Sequence, residues 1–234
     1  MHERASYDDA YYEHSLGRRH WFTDNEAKHE LRWRQILVMV DPQPRDVVLE
    51  LGCASGRHAR RIAPLCRQVI GIDSAEAAIA RARATAGPCD DHCQFVRADA
   101  ADLGFLADGS IDKAMAIDFI EHVPDAALQN ILREVRRVLR PGGILAVFTP
   151  CASHYVERLK ARNAILKQLP GHVAVRDLAQ CRPLFTQAGL PIERAWHSPS
   201  TYPVFGILDR ILDRAPLIGP FFRFRLCFVA RKAG

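Results

Sequence analysis

No apolar run in the 234-residue sequence approaches the ~20 residues that a membrane-spanning helix needs, which excludes a helical integral membrane protein. The opening stretch Met1–Tyr12 is too polar for the hydrophobic segment of a secretory signal. The seven cysteines are odd in number and follow no extracellular disulfide framework, so they are expected to be reduced and the protein cytoplasmic. Cys53 and Cys151 adjoin apolar runs and should behave as small buried hydrophobes. Cys89-Asp90-Asp91-His92-Cys93 offers two thiols and an imidazole but no second ligand pair at zinc-site spacing, and reads as a turn before a strand. There is no internal repeat, linker or low-complexity tract, and 14 glycines and 14 prolines are ordinary for a globular chain. Positive charge is only slightly in excess, 32 basic against 27 acidic residues, too little for a nucleic-acid footprint by itself.

What is present is an alternation of short apolar runs with helical patterns. Strands are predicted at Val47–Leu51, Gln68–Ile72, Gln94–Arg97, Lys113–Ile117 and Ile144–Phe148, and the last two at Ile192–Trp196 and Leu226–Ala230. Helices are predicted at Asn25–Val40, Arg57–Leu65, Ala75–Ala86, Asp125–Leu139, Tyr155–Leu169 and Arg176–Ala188. In Asp125–Leu139, Leu128, Ile131, Leu132, Val135 and Leu139 share one face, Asp125 is the expected N-cap, and Pro141-Gly142-Gly143 the expected stop. Strands buried on both faces and separated by helices imply an α/β fold with a mostly parallel sheet and right-handed crossovers. One domain is expected over 1–234, with an N-terminal helical lid at 1–45, a core at 46–150 and a second half at 151–234 carrying an apolar insertion at 199–224.

The first strand ends in Glu50-Leu51-Gly52-Cys53-Ala54-Ser55-Gly56. Gly52 permits the sharp turn and Gly56 a close approach of backbone to a ligand. The spacing departs from Gly-x-Gly-x-x-Gly, no Walker lysine follows, and Glu50 would repel a pyrophosphate while suiting a cation. Asp73 ends the second strand, where an acid can accept both hydroxyls of a ribose. Asp99 ends the third, within reach of an exocyclic adenine amine. Three carboxylates on adjacent strand ends suit a nucleoside that carries a positive centre.

On these residues the chain resembles the class I S-adenosylmethionine-dependent methyltransferases, roughly from Asn25 to Lys232. The motifs are Val47–Gly56, Gly71-Ile72-Asp73, Arg97-Ala98-Asp99, Phe119–Asp125 and Leu139–Leu145. The resemblance implies a Rossmann-like sheet of seven strands, the last antiparallel, with helices on both faces. It implies S-adenosylmethionine as cofactor, lined by Glu50, Gly52, Cys53, Gly56, Asp73, Ser74, Asp99, Ala100 and Asp118. Ala54 stands where the family often has glycine, a mild departure. A more local resemblance, to the ubiquinone-biosynthesis O-methyltransferases, covers Trp21-Phe22 and His29-Glu30-Leu31-Arg32, and implies that Arg32 pairs with the cofactor carboxylate.

Asp118-Phe119-Ile120-Glu121-His122 falls where this fold places its reaction centre. His122, with an ordinary pKa of about 6.5, is the candidate base, and Glu121 its candidate partner. A catalytic metal is not expected; the alternative ligand set, by resemblance to an E-x-x-E-H segment, is Asp118, Glu121 and His122, with His154 as a fourth. On the acceptor side, His154 and Tyr155 are expected at the pocket mouth, and Tyr202 in the apolar insertion. Arg210, Arg214, Arg223 and Arg225 are interleaved with that insertion. An apolar roof with a cationic rim suits a small hydrophobic or lipid-like acceptor and peripheral contact with a membrane surface. Nucleic acid is the competing substrate class; Arg18-Arg19 and Arg136-Arg137 are scattered and no amino-methylating Pro-Pro motif is present. A non-catalytic cofactor-binding scaffold is the third reading.

Overall fold

In Val47–Leu51 (β1) all five residues are buried, as a strand covered on both faces requires. The computed structural model describes residues 26–85, 90–162, 171–200 and 203–234. β1 pairs in parallel with β2 (Gln68–Asp73) and β4 (Ile111–Ile117); β2 pairs in parallel with β3 (Cys93–Arg97), and β4 with β5 (Leu139–Pro150). β7 (Arg225–Arg231) is antiparallel to β5 and to β6 (Ile192–Ser198), and lies between them. The order β3-β2-β1-β4-β5-β7-β6 makes a Rossmann-like sheet of seven strands. Its order reverses between β1 and β4, and ligands of such sheets bind in the crevice at that point, beyond the strands' carboxyl ends.

Seven helices are described: α1 (Glu26–Val40), α2 (Arg57–Ile62), α3 (Glu76–Ala84), α4 (Asp125–Val138), α5 (Tyr155–Ala161), α6 (Leu178–Gln187) and α7 (Pro203–Leu212). The two faces of the sheet carry separate cores. Leu49, Leu51, Ala114, Leu145 and Phe228 meet Leu128, Ile131 and Val135 of α4 and Phe185 of α6. Val48, Val69, Met115, Ala146 and Val229 meet Ile36 and Met39 of α1, Ile62 of α2, and Ile79 and Ala82 of α3. Successive strand residues alternate between these cores because the side-chain period of a strand is two.

Several boundaries differ from the sequence reading. α4 has Pro124, not Asp125, at its N-cap, and its side-chain cap is absent. Its last residue is Val138; Leu139 is already extended at ψ 135°, so the chain leaves the helix before Pro141 and that segment belongs to β5. α6 starts at Leu178 rather than Arg176 because Asp177 and Gln180 form a reciprocal capping box, 3.0 and 2.9 Å. The helix expected over Tyr155–Leu169 is seen to Ala161, and 163–170 lie outside the described residues, as do Cys89, Trp21 and Phe22. Asp90–His92 forms a short 3-10 turn before β3, and the six described cysteines are free thiols.

Candidate active site

The turn after β1 is built from three left-handed residues: Gly52 at φ 65°, Ala54 at 51° and Gly56 at 75°. At Gly52 a Cβ would come within 2.6 Å of the Phe119 ring, and at Gly56 within 2.5 Å of the Phe95 ring, so neither position accepts a side chain. Ala54 adopts a conformation that glycine takes freely, at a cost of roughly 1–2 kcal/mol. Its N–H donates to Asp73 Oδ2 at 3.0 Å, and Ala75 N–H to Asp73 Oδ1 at 3.0 Å. Asp73 thereby ties the ends of β1 and β2 together, and each oxygen keeps a lone pair for another donor.

Glu50 lies beneath this turn at 2% exposure, with Oε2 buried and unpartnered. Burial is the main reason its pKa is pushed up to about 8; the N–H of Ala59 opposes this and the Asp73 charge adds to it. Cys53 is buried beside it, and burial and the Glu50 charge push its thiol pKa up, so it is inert. Ser74 and Asp99 are exposed and Ala100 is buried; Asp99 Oδ1 accepts from Ala101 N–H at 2.9 Å. Ser74 presents its carbonyl to Arg97 Nε at 3.3 Å.

Across the crevice, Asp118 closes β4 at φ 50° and sits between two arginines: Arg32 Nη2 is 2.9 Å from Oδ2, and Arg225 Nη1 2.7 Å from Oδ1. Both guanidiniums lie over the Phe148 ring, at 5.6 and 5.5 Å. Arg32 therefore reaches the site as expected, but its partner here is Asp118, and Arg225 of β7 is an addition that sequence spacing does not reveal. A cleft beside this cluster is lined by Leu31, Arg32, Phe148, Ser198, Pro199, Phe224 and Arg225.

Glu121 and His122 share the 3-10 turn Ile120–His122. Glu121 is 1% exposed; Oε2 accepts from Thr149 Oγ1 at 3.0 Å while Oε1 is buried without a partner. Burial, then the Asp118 charge, push its pKa up to about 8. His122 Nδ1 is 2.9 Å from the Gly171 carbonyl, so Nδ1 carries the proton and Nε2 the lone pair of the neutral ring. Burial lowers its pKa, and the Gly171 contact opposes the shift. His172 meets the His122 ring edge-on at 4.8 Å, with Nδ1 buried and unpartnered. One ligand atom each from Glu121, His122 and His172 fall within 4.8 Å of one another. The alternative ligand set read from the sequence included Asp118; here Asp118 faces the arginines, and it is His172, 50 residues on from His122, that stands with Glu121 and His122.

Arg176 holds the turn from below. It is 4% exposed and donates to the carbonyls of Ile120 at 2.8 Å, Val123 at 2.7 Å and Ala174 at 3.0 Å, and from Nε to Asp125 Oδ1 at 2.8 Å. In the sequence it reads only as a residue near a helix start.

His154 is placed differently from expectation. It is 1% exposed and caps α5: Nδ1 accepts from Val156 N–H at 3.3 Å, and Nε2 lies 3.4 Å from Asp209 Oδ1. Both nitrogens are committed to the fold, so it neither lines a pocket mouth nor serves as a fourth metal ligand. Tyr155 is half-buried, 4.3 Å from the His154 ring and 5.7 Å from Phe222. Tyr202 lies outside the described residues.

The chain matches the methyltransferase domain family over residues 48–143. It is 35% identical to a Mycolicibacterium smegmatis protein named "Probable S-adenosylmethionine-dependent methyltransferase", over 74% of this chain and 60% of that protein. It is 31% identical to the 27-O-demethylrifamycin SV methyltransferase of Amycolatopsis mediterranei, over 75% of this chain and 66% of the relative. The chain belongs to the class I S-adenosylmethionine-dependent methyltransferases. It spans 60% and 66% of the length of these two relatives. Geranyl diphosphate C-methyltransferase from Streptomyces coelicolor A3(2), solved with Mg2+, geranyl diphosphate and S-adenosyl-L-homocysteine, shares the fold with a TM-score of 0.64 and 16% identity, over 88% of this chain and 81% of that one.

The residues present fit the cofactor of this methyltransferase family. The buried, unpartnered Oε2 of Glu50 is an acceptor awaiting a donor, and Asp73 retains lone pairs at the place where β1 and β2 end.

Proposed function

We propose that this protein is an enzyme that moves the methyl group of S-adenosylmethionine to a small, apolar acceptor. The observation that carries the proposal is the set of acids Glu50, Asp73 and Asp99 at the ends of β1, β2 and β3 around a left-handed turn that excludes side chains at Gly52 and Gly56. In this reading Asp73 accepts the ribose hydroxyls, Asp99 the adenine amine, and Glu50 supports the cationic end from beneath, with Gly52, Cys53, Gly56, Ser74 and Ala100 forming the wall. Arg32 exchanges Asp118 for the cofactor carboxylate. When bound, the cofactor supplies a methyl carbon on a sulfonium, open to in-line displacement.

The chain's own part is alignment and proton handling. Phe148, Phe224 and Leu31 give the cleft an apolar wall, which orients an acceptor with a hydrophobic body. His122 is neutral at pH 7, because burial lowers its pKa, and its Nε2 takes the proton from an acceptor hydroxyl. Gly171 fixes the tautomer through Nδ1. Relatives named 27-O-demethylrifamycin SV methyltransferase and cycloartenol-C-24-methyltransferase support a small-molecule acceptor. The deciding test is transfer of radiolabelled methyl from S-adenosylmethionine into lysate fractions: label is expected in the organic extract of apolar small molecules. Label confined to nucleic acid, or no transfer beside tight cofactor binding, would reject the reading.

A specific observation favours a second role for the same cluster. Glu121 Oε1 and His172 Nδ1 are buried without partners beside His122, and two imidazoles with one carboxylate suit a divalent transition-metal ion. Such an ion would bind the acceptor oxygen and lower its pKa. Turnover that chelation abolishes and Mn2+ or Zn2+ restores would favour the metal; turnover indifferent to chelation leaves His122 as the base.

A further inference from the structure

A helix on the surface of a water-soluble protein turns its apolar residues inward; among the described side chains of α7, from Gly206 on, Ile207, Leu208 and Ile211 do the reverse. Its inward anchor is an acid: Asp209 is 1% exposed, and Oδ2 accepts from Ser200 N–H at 3.0 Å while Oδ1 lies 3.4 Å from His154 Nε2. Outward point Ile207, Leu208 and Ile211, exposed by 58, 42 and 67%, and the patch continues through Leu217 at 88% and Ile218 at 46%. The orientation is locked. A Cβ on Gly206 would lie 2.2 Å from the Ser200 carbonyl oxygen, so the helix sits on that backbone and cannot roll its apolar face under. A Cβ on Gly219 would lie 2.4 Å from the Asp213 carbonyl oxygen, which pins the segment that follows.

The exposed charges of this segment have one sign. Arg210 and Arg214 are exposed, and Arg158 of α5 lies 4.6 Å over the Phe221 ring. The acids between 203 and 225 are Asp209 and Asp213; the first is buried and the second half-buried, with Oδ1 enclosed. An apolar centre ringed by arginines, with no exposed carboxylate between 206 and 225, matches a bilayer that carries anionic headgroups. A symmetric contact with a second copy would set each patch against itself and bring Arg210 and Arg214 of both copies together with no acid between them.

We infer that α7 and the segment to Phe221 form a membrane-docking face, with Ile207, Ile211 and Leu217 entering the boundary between headgroups and acyl chains and Arg210 and Arg214 meeting the phosphates. The inference stands apart from the methyl-donor reading, since vesicle binding is measured with neither cofactor nor acceptor.

The test is flotation of the full chain with vesicles of phosphatidylcholine alone or with phosphatidylglycerol added. Binding is expected to the anionic vesicles and to fall steeply as salt rises. Ile211→Asp with Leu217→Asp should abolish it. Arg210→Gln with Arg214→Gln should weaken partitioning about 25-fold, about five-fold for each arginine. All four side chains are exposed, so an unchanged melting temperature shows that the variants fold. No binding to either vesicle, or equal binding to both, overturns the inference. So does a concentration-dependent dimer that Ile211→Asp dissolves, which would assign the face to a second copy.

Discussion

At Glu50, Asp73 and His122 single side chains carry separable parts of the proposed chemistry. Asp73→Ala should weaken S-adenosylhomocysteine binding by about 1–3 kcal/mol in calorimetry, the cost of hydroxyl donors left without an acceptor; equal affinity would remove the ribose assignment. Glu50, with a pKa near 8 from burial, is mostly protonated at pH 7, and a cationic ligand placed beside it favours the ionised form. Binding of S-adenosylmethionine at pH 7 should therefore release protons, seen as a binding enthalpy that changes with the ionisation enthalpy of the buffer. Glu50→Gln should abolish that dependence, and a dependence that persists would place the proton elsewhere. His122→Ala should lower turnover by about 10²–10⁴-fold while cofactor affinity stays within about two-fold, the signature of proton transfer by a positioned base. Full activity in that variant would leave His122 a structural residue.

At the scale of elements, the turn after β4 is held by a residue outside it. Arg176 lies before α6, yet its guanidinium satisfies carbonyls of Ile120, Val123 and Ala174 and the carboxylate of Asp125. Arg176→Met takes the guanidinium donor from the Val123 and Ala174 carbonyls, while Asp125 is exposed and the Ile120 carbonyl keeps the Val123 N–H, and should cost about 1–3 kcal/mol of unfolding free energy in urea. Turnover should fall further than stability alone explains, because the Glu121–His122 turn is then free to shift; a stability loss under about 1 kcal/mol would contradict the bonding scheme. The elements themselves were largely readable. α4 announces itself through Leu128, Ile131, Leu132 and Val135 at helical spacing, and β1 through an apolar run broken by Glu50 alone and ended by glycine. Their ends were less readable, since the cap at Asp177 and the early exit at Leu139 depend on which backbone groups find partners.

For the whole molecule, buried titratable groups of two kinds oppose one another. Burial pushes His58, His172 and His197 down to about 4 and lowers His122 and His154 as well. In the window from about 4 to 6.5 the unfolded chain binds more protons at these groups, so stability rises with pH. Glu50 and Glu121, raised to about 8 chiefly by burial, bind more protons in the folded state between about 4.5 and 8, which lowers stability as pH rises. The three histidines held near 4 outweigh the two glutamates up to about pH 6, His122 and His154 add in the same direction, and above about 6.5 the glutamates dominate. Thermal unfolding without ligand should thus show its highest midpoint near pH 6.5 and a decline toward pH 8. Glu50→Gln with Glu121→Gln should flatten that decline; a midpoint still climbing at pH 8 would contradict the burial of these carboxyls.

The parallel sheet, the glycine turn and the acids on successive strand ends could be read in the chain, because each depends on local periodicity or on a residue type demanded by one backbone conformation. The pairing of Asp118 with Arg32 and Arg225, the approach of His172 to Glu121 and His122, the burial of His154 against Asp209 and the outward turn of Ile207 and Ile211 could not. Each joins segments tens of residues apart or depends on which side of an element faces the core. Such contacts arise from packing, and spacing along a chain holds no record of them.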